Sequence, residues 1–145
     1  MKKYKIGYTC GVFDLFHVGH LNLLEHCKEM CDKLVVSICD DEYVRNIKHK
    51  EPVIGEKDRE RIIAALKCVD ETFIVNTAET IDKIPVHERI GFDVIFAGDD
   101  WKGSPRFEET EKQFKARGVD IVFFPYTKSV STSQLRESIG DKNNK

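Results

Sequence analysis

The chain has 145 residues, of which 41% are hydrophobic and 33% charged, and its formal net charge is −2. This length suits a single domain with a sizeable core, expected over 1–140 and followed by a polar tail at 141–145. The near-neutral charge argues against nucleic-acid binding, and no apolar run has the length that a membrane span needs.

The N-terminal segment lacks the apolar stretch that signal peptides contain. Five cysteines are scattered through apolar segments, at Cys10, Cys27, Cys31, Cys39 and Cys68. An odd number of scattered cysteines fits free thiols in a reducing compartment better than a set of disulfides. A cytoplasmic location is therefore expected.

Short runs rich in β-branched residues alternate along the chain with segments whose apolar residues recur at helical spacing. Strands are predicted at 4–10, 33–39, 72–75, 92–98 and 120–125. Helical crossovers between successive strands imply a parallel sheet, and strands without polar alternation are typical of sheets covered on both faces. The predicted fold is α/β: a Rossmann-like, doubly wound, five-stranded parallel sheet with helices on both faces.

The helices between these strands are predicted at 18–31, 56–69 and about 79–90, and from the Ser104–Pro105 start signal to Gly118. A last helix is predicted to begin at Ser131. Ser131 and Gln134 have the spacing of a capping box, and Gly140 would end this helix.

The segment "CGVFDLFHVGHL", residues 10–21, follows the first strand and enters the first helix. Ligands of open parallel sheets bind at such strand ends, and helix N-termini favour anions. Gly19 would let a phosphate approach the backbone closely. His17 and His20 could donate ring N–H groups to phosphate oxygens. This segment therefore predicts a phosphate site.

Two other interpretations of this segment compete with a phosphate site. Helical zinc pairs usually stand four residues apart and need a third ligand, whereas these histidines stand three apart. Cys27 and Cys31 have the helical spacing, but without a second pair they are better explained as core residues. A plain strand-to-helix turn would explain each histidine alone, but not the combined pattern.

The run "GVFDLFHVGHLNLLEHCK" resembles the first motif of the HxGH nucleotidylyltransferase superfamily. Within that superfamily it is most similar to the cytidylyltransferases that act on glycerol 3-phosphate, choline phosphate and ethanolamine phosphate. Four later segments fit the same family in order: "DKLVVSICDDE", "KHKEPVIGEKDRERIIAALKCVDE", "AGDDWKG" and "YTKSVSTSQLRE". The resemblance covers residues 4 to 139.

The resemblance implies roles for individual residues. The implied catalytic residues are His17, His20, Lys48, Lys50 and Arg59, and the implied contacts to substrate phosphate are Lys48, Lys50, Arg59 and Lys67. Besides the two histidines, the implied nucleotide-binding residues are Cys10, Gly11, Val12, Phe13, Asp14, Gly19, Asp41, Gly98, Asp99, Trp101, Thr127, Ser131, Thr132 and Ser133. Asp14 would orient the turn or help to hold the Mg²⁺ that accompanies CTP.

The last motif departs from the family pattern R-T-E-G-I-S-T. Tyr126, Lys128 and Ser129 replace its arginine, glutamate and glycine. Lys128 can supply charge but lacks the bidentate geometry of an arginine. Arg106, expected in a loop after the "GDDW" turn, is a candidate replacement cation.

The function that the resemblance implies is transfer of CMP from CTP to a small phosphoalcohol, with release of pyrophosphate. Glycerol 3-phosphate is the favoured acceptor, and the products would serve cell-wall or capsule synthesis. The alternatives are choline or ethanolamine phosphate as acceptor, an adenylyltransferase of the same superfamily, and an inactive nucleotide-binding module. The stretch 69–71 resembles a segment near the dimer contact of related enzymes, so a homodimer is expected.

Overall fold

Five parallel strands form one sheet in the order β3-β2-β1-β4-β5 in the computed structural model, which describes residues 2–125. The strands are β1 (Tyr4–Gly11), β2 (Cys31–Cys39), β3 (Glu71–Val75), β4 (Val94–Gly98) and β5 (Asp120–Phe124). β2 and β3 lie on one side of β1, whereas β4 and β5 lie on the other side. The direction of winding therefore reverses between β1 and β4. The predicted doubly wound sheet and all five strands are confirmed.

Six helices are described: α1 (Val18–Met30), α2 (Asp41–Asn46), α3 (Glu56–Ala64), α4 (Thr77–Ile81), α5 (Ile84–Ile90) and α6 (Pro105–Lys115). The helix predicted at 79–90 is two helices, because Pro85 lacks the N–H that would continue α4 and instead lies at the start of α5. No helix is predicted at 41–46, yet α2 forms there, with the Asp40 side chain accepting from the Tyr43 N–H at 2.8 Å.

Apolar side chains cover both faces of the sheet, as predicted. On one face, Leu24 and Cys27 of α1 and Ile63 of α3 pack against the strands. On the other, Val86 of α5 and Phe114 of α6 join a second cluster. Each fully buried side chain of this size contributes about 1.5–3 kcal/mol.

Cys27 and Cys31 are fully buried in the first cluster, and the Cys31 thiol donates to the Cys27 carbonyl at 3.3 Å. Their interpretation as core residues is confirmed. Within residues 2–125, no helix is long and apolar enough to cross a membrane. The predicted helix from Ser131 and the boundary at residue 140 lie outside the described residues.

Candidate nucleotide site

The turn between β1 and α1 lies at the carboxyl edge of the sheet, where the winding reverses. Phe13 and Leu15 have left-handed backbones there, with φ of 54° and 51°. Each costs on the order of 1–3 kcal/mol and persists only if other contacts impose it. Gly11 lies directly against Phe13, since a Cβ on Gly11 would lie 2.8 Å from the phenyl ring and the ring would have to shift. This turn is a strained segment held by its surroundings.

Asp14 supplies much of that constraint. Its side chain is 3% exposed, and one carboxylate oxygen accepts from the N–H groups of Leu15 at 3.1 Å and Ile54 at 2.9 Å. The other oxygen accepts from the Val53 N–H at 2.8 Å. Asp14 thus joins the turn to the loop that carries Lys48 and Lys50, which agrees with its predicted role in orienting the turn.

The two histidines cap the N-terminus of α1 reciprocally. His17 Nδ1 accepts from the Gly19 N–H at 3.0 Å, while His20 Nδ1 accepts from the His17 N–H at 3.2 Å. The two rings stack with centroids 4.0 Å apart, and Phe13 and Phe16 pack against His20. Ring orientation is therefore set by local backbone bonds together with aromatic packing.

The burial and packing of the two histidine rings also determine their protonation state. Burial, and next to it the neighbouring His17, lowers the pKa of His20 to about 4, and burial lowers the pKa of His17. Both rings are therefore neutral at neutral pH. Because each Nδ1 accepts a backbone hydrogen bond, the ring proton resides on Nε2. Each histidine is a neutral Nε2–H donor at a helix N-terminus, which suits it to hydrogen-bond a phosphate oxygen without proton transfer.

Arg59 is 1% exposed, so the structure places it inside the protein. Its Nε donates to the Ile54 carbonyl at 2.8 Å, and Nη1 donates to the carbonyls of Val12 at 2.8 Å and Cys39 at 2.7 Å. Nη2 forms an ion pair with Asp41. Four of its five N–H groups are thus used within the protein. Arg59 joins three segments at the carboxyl edge, and its contact with substrate phosphate stays a prediction.

The loop from 47 to 55 carries the two predicted lysines. Lys48 is exposed, and its Nζ lies 5.2 Å from the centroid of the Trp101 ring. Lys50 is half-buried, and its backbone N–H donates to the Val44 carbonyl at 3.2 Å. The loop therefore reaches across to the turn after β4, where the Lys48 ammonium meets the Trp101 ring.

Arg106 lies in the first turn of α6 and not in a loop, because Ser104 caps the helix and Pro105 begins it. Its guanidinium donates to the Tyr43 hydroxyl at 2.7 Å and the Thr80 carbonyl at 3.0 Å, and it lies 4.8 Å from the Trp101 centroid. Tyr43 and Thr80, which hold Arg106 in place, were not predicted from the sequence. The Asp40 cap, which orients Tyr43 on α2, is the signal that could have found it.

The structure places the remaining predicted residues as follows. Gly98 ends β4, Asp99 and Trp101 form the 3₁₀ turn after it, and Asp41 begins α2, all at the carboxyl edge. Lys67 is exposed between α3 and β3, where the chain has returned to the amino edge, so it is not brought together with the others. Thr127, Ser131, Thr132 and Ser133 lie outside the described residues.

Mg²⁺ requires oxygen ligands, and Asp14 is the predicted protein ligand. Both oxygens of Asp14 already accept backbone hydrogen bonds. Among residues 2–125, no group of three or more side chains is arranged to hold a metal ion. Asp14 therefore does not fit the role of a metal ligand, and no step below is assigned to a metal.

A family model described as "Cytidylyltransferase-like" matches residues 8–138. A FAD synthase of Thermococcus kodakarensis is 37% identical over 118 residues, which cover 80% of this chain and 76% of that protein. A glycerol-3-phosphate cytidylyltransferase of Bacillus subtilis is 34% identical over 131 residues, or 90% of this chain and 94% of the relative. The bifunctional protein HldE of Koribacter versatilis is 37% identical over 92% of this chain, which spans only 26% of HldE.

Solved structures are similar as well. A lipopolysaccharide core biosynthesis protein of Thermoplasma volcanium has a TM-score of 0.69 at 27% identity, over 86% of this chain and 97% of that one. A pantoate-beta-alanine ligase of Francisella tularensis has a TM-score of 0.62 at 15% identity, over 98% of this chain and 70% of that one. This second likeness shows the fold alone.

Proposed function

Since this chain belongs to the cytidylyltransferase-like family of nucleotidyltransferases, we propose that it transfers CMP from CTP to a small phosphoalcohol, with glycerol 3-phosphate as the favoured acceptor. The observation that carries this proposal is the pair of neutral histidine Nε2–H donors at the N-terminus of α1. They lie where an open parallel sheet binds its ligand.

In the proposed reaction, an oxygen of the acceptor phosphate attacks the α-phosphorus of CTP in line. A new P–O bond forms, the bond from the α-phosphorus to the bridging oxygen breaks, and pyrophosphate leaves with that oxygen. The acceptor phosphate is already a competent nucleophile, so no covalent enzyme intermediate is needed. Catalysis then consists of positioning and of stabilising the charge on the phosphate oxygens.

Two pairs of side chains carry out the positioning and the charge stabilisation. His17 and His20 donate Nε2–H bonds to oxygens of the reacting phosphates, with rings pre-oriented by the backbone bonds at Nδ1. Lys48 and Lys50 bring positive charge from the opposite loop. The 5.2 Å contact of Lys48 with Trp101 gives its ammonium a place close to the strand ends before substrate arrives. Neutral donors and lysine ammonium groups together suit a site whose substrates carry several negative charges.

The choice of CTP and of glycerol 3-phosphate is supported by the Bacillus subtilis relative, because the alignment covers 94% of that protein. A specific observation favours a second candidate: the Thermococcus kodakarensis relative is named for forming flavin adenine dinucleotide. The second proposal is accordingly transfer of AMP from ATP to a phosphorylated acceptor at the same site.

Pyrophosphate release, measured with CTP or ATP against a panel of phosphomonoesters, tests both proposals. Glycerol 3-phosphate, choline phosphate, ethanolamine phosphate, a sugar 1-phosphate and FMN form a suitable panel. Turnover with CTP and glycerol 3-phosphate well above the other pairs is the expected result. Turnover only with ATP would replace the first proposal by the second, and no turnover with any pair would contradict an enzymatic role.

The homodimer and the use of Mg²⁺ are further parts of this proposal, both supported by the family resemblance. Light scattering of the purified chain should give about twice the mass of 16.7 kDa. Turnover should disappear when EDTA is added and return with excess Mg²⁺, because triphosphates are usually bound as their magnesium complexes.

A further inference from the structure

Arg106, half-buried in the first turn of α6, bridges several segments at the carboxyl edge of the sheet. Its Nη1 donates to the Tyr43 hydroxyl and its Nη2 to the Thr80 carbonyl, and its guanidinium lies against the Trp101 ring. These three partners lie in the segments that follow β2, β3 and β4. Because β1 lies between β2 and β4, the guanidinium is close to the end of β1, where the turn of the candidate nucleotide site begins.

The histidine pair and Arg106 approach this end of β1 from opposite faces of the sheet. The helix that begins after His17, α1, packs on one face through Leu24 and Cys27. The helix that carries Arg106, α6, packs on the other face through Phe114. A molecule whose phosphate lies at the histidines therefore has Arg106 on the far side of the strand end.

Lys48 connects Arg106 with the groups predicted to hold the reacting phosphates. Its Nζ lies 5.2 Å from the centroid of the Trp101 ring, and the Arg106 guanidinium lies 4.8 Å from the same centroid. Both positive groups are thus in contact with one indole ring. A small acceptor whose phosphate contacts Lys48 has its other end close to Arg106.

The chain does not satisfy the Arg106 guanidinium by itself. Among residues 2–125, no carboxylate forms a salt bridge with Arg106. Its Nε is buried without a hydrogen-bond partner, and only two of its five N–H groups donate within those residues. Lys83, which is 4% exposed, donates to the same Thr80 carbonyl at 2.7 Å. A poorly solvated cation without a negative or polar partner is costly, so ligand oxygens are expected beside Arg106.

The aromatic rings at this edge are already in contact with cations of the chain. Besides the Trp101 ring, Arg106 lies 5.7 Å from the centroid of Tyr43. The Nζ of Lys83 lies 5.2 Å from the centroid of Phe107. Proteins recognise quaternary ammonium groups by the faces of such rings. An ammonium group bound here would therefore meet positive charge beside each of these three rings.

We propose that Arg106 is a specificity-determining residue for the acceptor. It favours phosphomonoesters whose non-reacting end carries hydroxyl or carboxylate oxygens, and it disfavours those that end in an ammonium group. The inference rests on the proposed transfer to a phosphoalcohol. Oxygens accept the remaining N–H groups of the guanidinium, whose permanent charge repels an ammonium group at short range. Glycerol 3-phosphate and 3-phosphoglycerate belong to the favoured class, and choline phosphate and ethanolamine phosphate to the disfavoured one.

A pair of isosteric ligands tests the effect of charge alone. In 3,3-dimethylbutyl phosphate, a carbon atom replaces the quaternary nitrogen of choline phosphate, so the two molecules have the same shape. Trp101 is the single tryptophan of the chain and contacts Arg106, so its emission reports binding without turnover. The neutral isostere should bind at least about fivefold more tightly than choline phosphate. Equal dissociation constants, or an emission that no phosphomonoester changes, would overturn the proposal.

Two further ligands test the recognition of oxygen atoms. Glycerol 3-phosphate and 3-phosphoglycerate should both bind more tightly than 3,3-dimethylbutyl phosphate, because their oxygens accept hydrogen bonds from Arg106. Tighter binding of 3-phosphoglycerate would assign the preference to a carboxylate, and tighter binding of glycerol 3-phosphate would assign it to hydroxyl groups. Weaker binding of both molecules than of the isostere would contradict a role for Arg106 as a donor.

Variants of α6 test whether Arg106 is the source of the discrimination. Arg106→Gln removes the charge and should at least halve the preference for the neutral isostere over choline phosphate, whereas Arg106→Lys keeps the charge and should retain it. Lys112→Gln removes an exposed positive charge from the same helix and should leave the preference unchanged. A wild-type preference in an Arg106→Gln protein with wild-type circular dichroism would overturn the assignment.

The binding constants also separate this inference from the proposed transferase function. Pyrophosphate release with glycerol 3-phosphate, together with equal binding of choline phosphate and its isostere, would contradict the role of Arg106 alone. Selective binding without turnover of any pair of substrates would contradict the transferase activity and support the selectivity of Arg106.

Discussion

The β1–α1 turn and the loop from 47 to 55 both carry predicted phosphate-binding side chains, but they are held in different ways. The histidines of the turn are oriented by bonds to backbone groups within three residues. The lysine loop is anchored by remote groups, since Asp14 accepts from Val53 and Ile54. Local bonds therefore set the direction of the histidine donors, whereas tertiary contacts decide where the lysines lie.

The largest expected effect comes from removing Arg59, which also anchors the lysine loop because its Nε donates to the Ile54 carbonyl. Arg59→Met should lower the free energy of unfolding by about 3–5 kcal/mol, because Asp41 and three backbone carbonyls would lose the donor that the buried guanidinium supplies. Urea denaturation measures this change. Arg61→Met, an exposed position on the same helix, should stay within about 0.5 kcal/mol of the wild type. Equal effects of the two substitutions would show that the buried network does not hold the loop.

The next prediction concerns the effect of the two histidine donors, His17 and His20, on kcat. His20→Ala and His17→Ala should each lower kcat by roughly 10²-fold, because a hydrogen bond to the charged phosphate oxygens is lost. His26→Ala, an exposed histidine on the same helix, provides the control and should leave kcat unchanged. Steady-state pyrophosphate release gives the rates. Near-normal kcat in both test variants would remove the histidines from the mechanism.

The buried ring of His20 predicts how the free energy of unfolding depends on pH. The pKa of His20 is about 4 in the folded protein, below the usual value of 6.5. Between these values the unfolded chain binds a proton that the folded one does not, so the free energy of unfolding falls as pH drops from about 6.5 to 4. His20→Gln should make this decline shallower. A His20 resonance in NMR that titrates near 6.5 would contradict the buried, neutral ring.

The smallest expected effect concerns the contact between Lys48 in the loop and Trp101 in the turn after β4. Trp101 is the single tryptophan of the chain, and the Lys48 ammonium lies 5.2 Å from its ring centroid. Lys48→Met should therefore change the tryptophan emission and cost about 0.5–1 kcal/mol of stability. Lys50→Met is the matched control for the emission spectrum. Identical spectra of wild type and Lys48→Met would show that the loop does not contact Trp101 in solution.

Sequence reasoning succeeded where the determining interactions are local. The strands, the start of α1 at Val18 and the helix cap at Ser104 follow from periodicity and from residues within one turn. It failed at α2, whose short length leaves no periodic signal, and at the single helix predicted for 79–90, where the effect of Pro85 was overlooked. Arg106 lies on α6 and not in the expected loop, because the helix start signal Ser104–Pro105 precedes it.

By itself, the sequence determined the alternation of strands and helices and the chemistry of the β1–α1 turn, because both depend on neighbouring residues. Only the tertiary structure decided that Arg59 is buried between separate segments of the carboxyl edge and that Asp14 accepts from amides 39 and 40 residues away. It also decided that Lys83 and Arg106 both donate to the Thr80 carbonyl. Charge pairing and burial depend on groups that only the folded sheet brings together, and no pattern of neighbours along the chain encodes them.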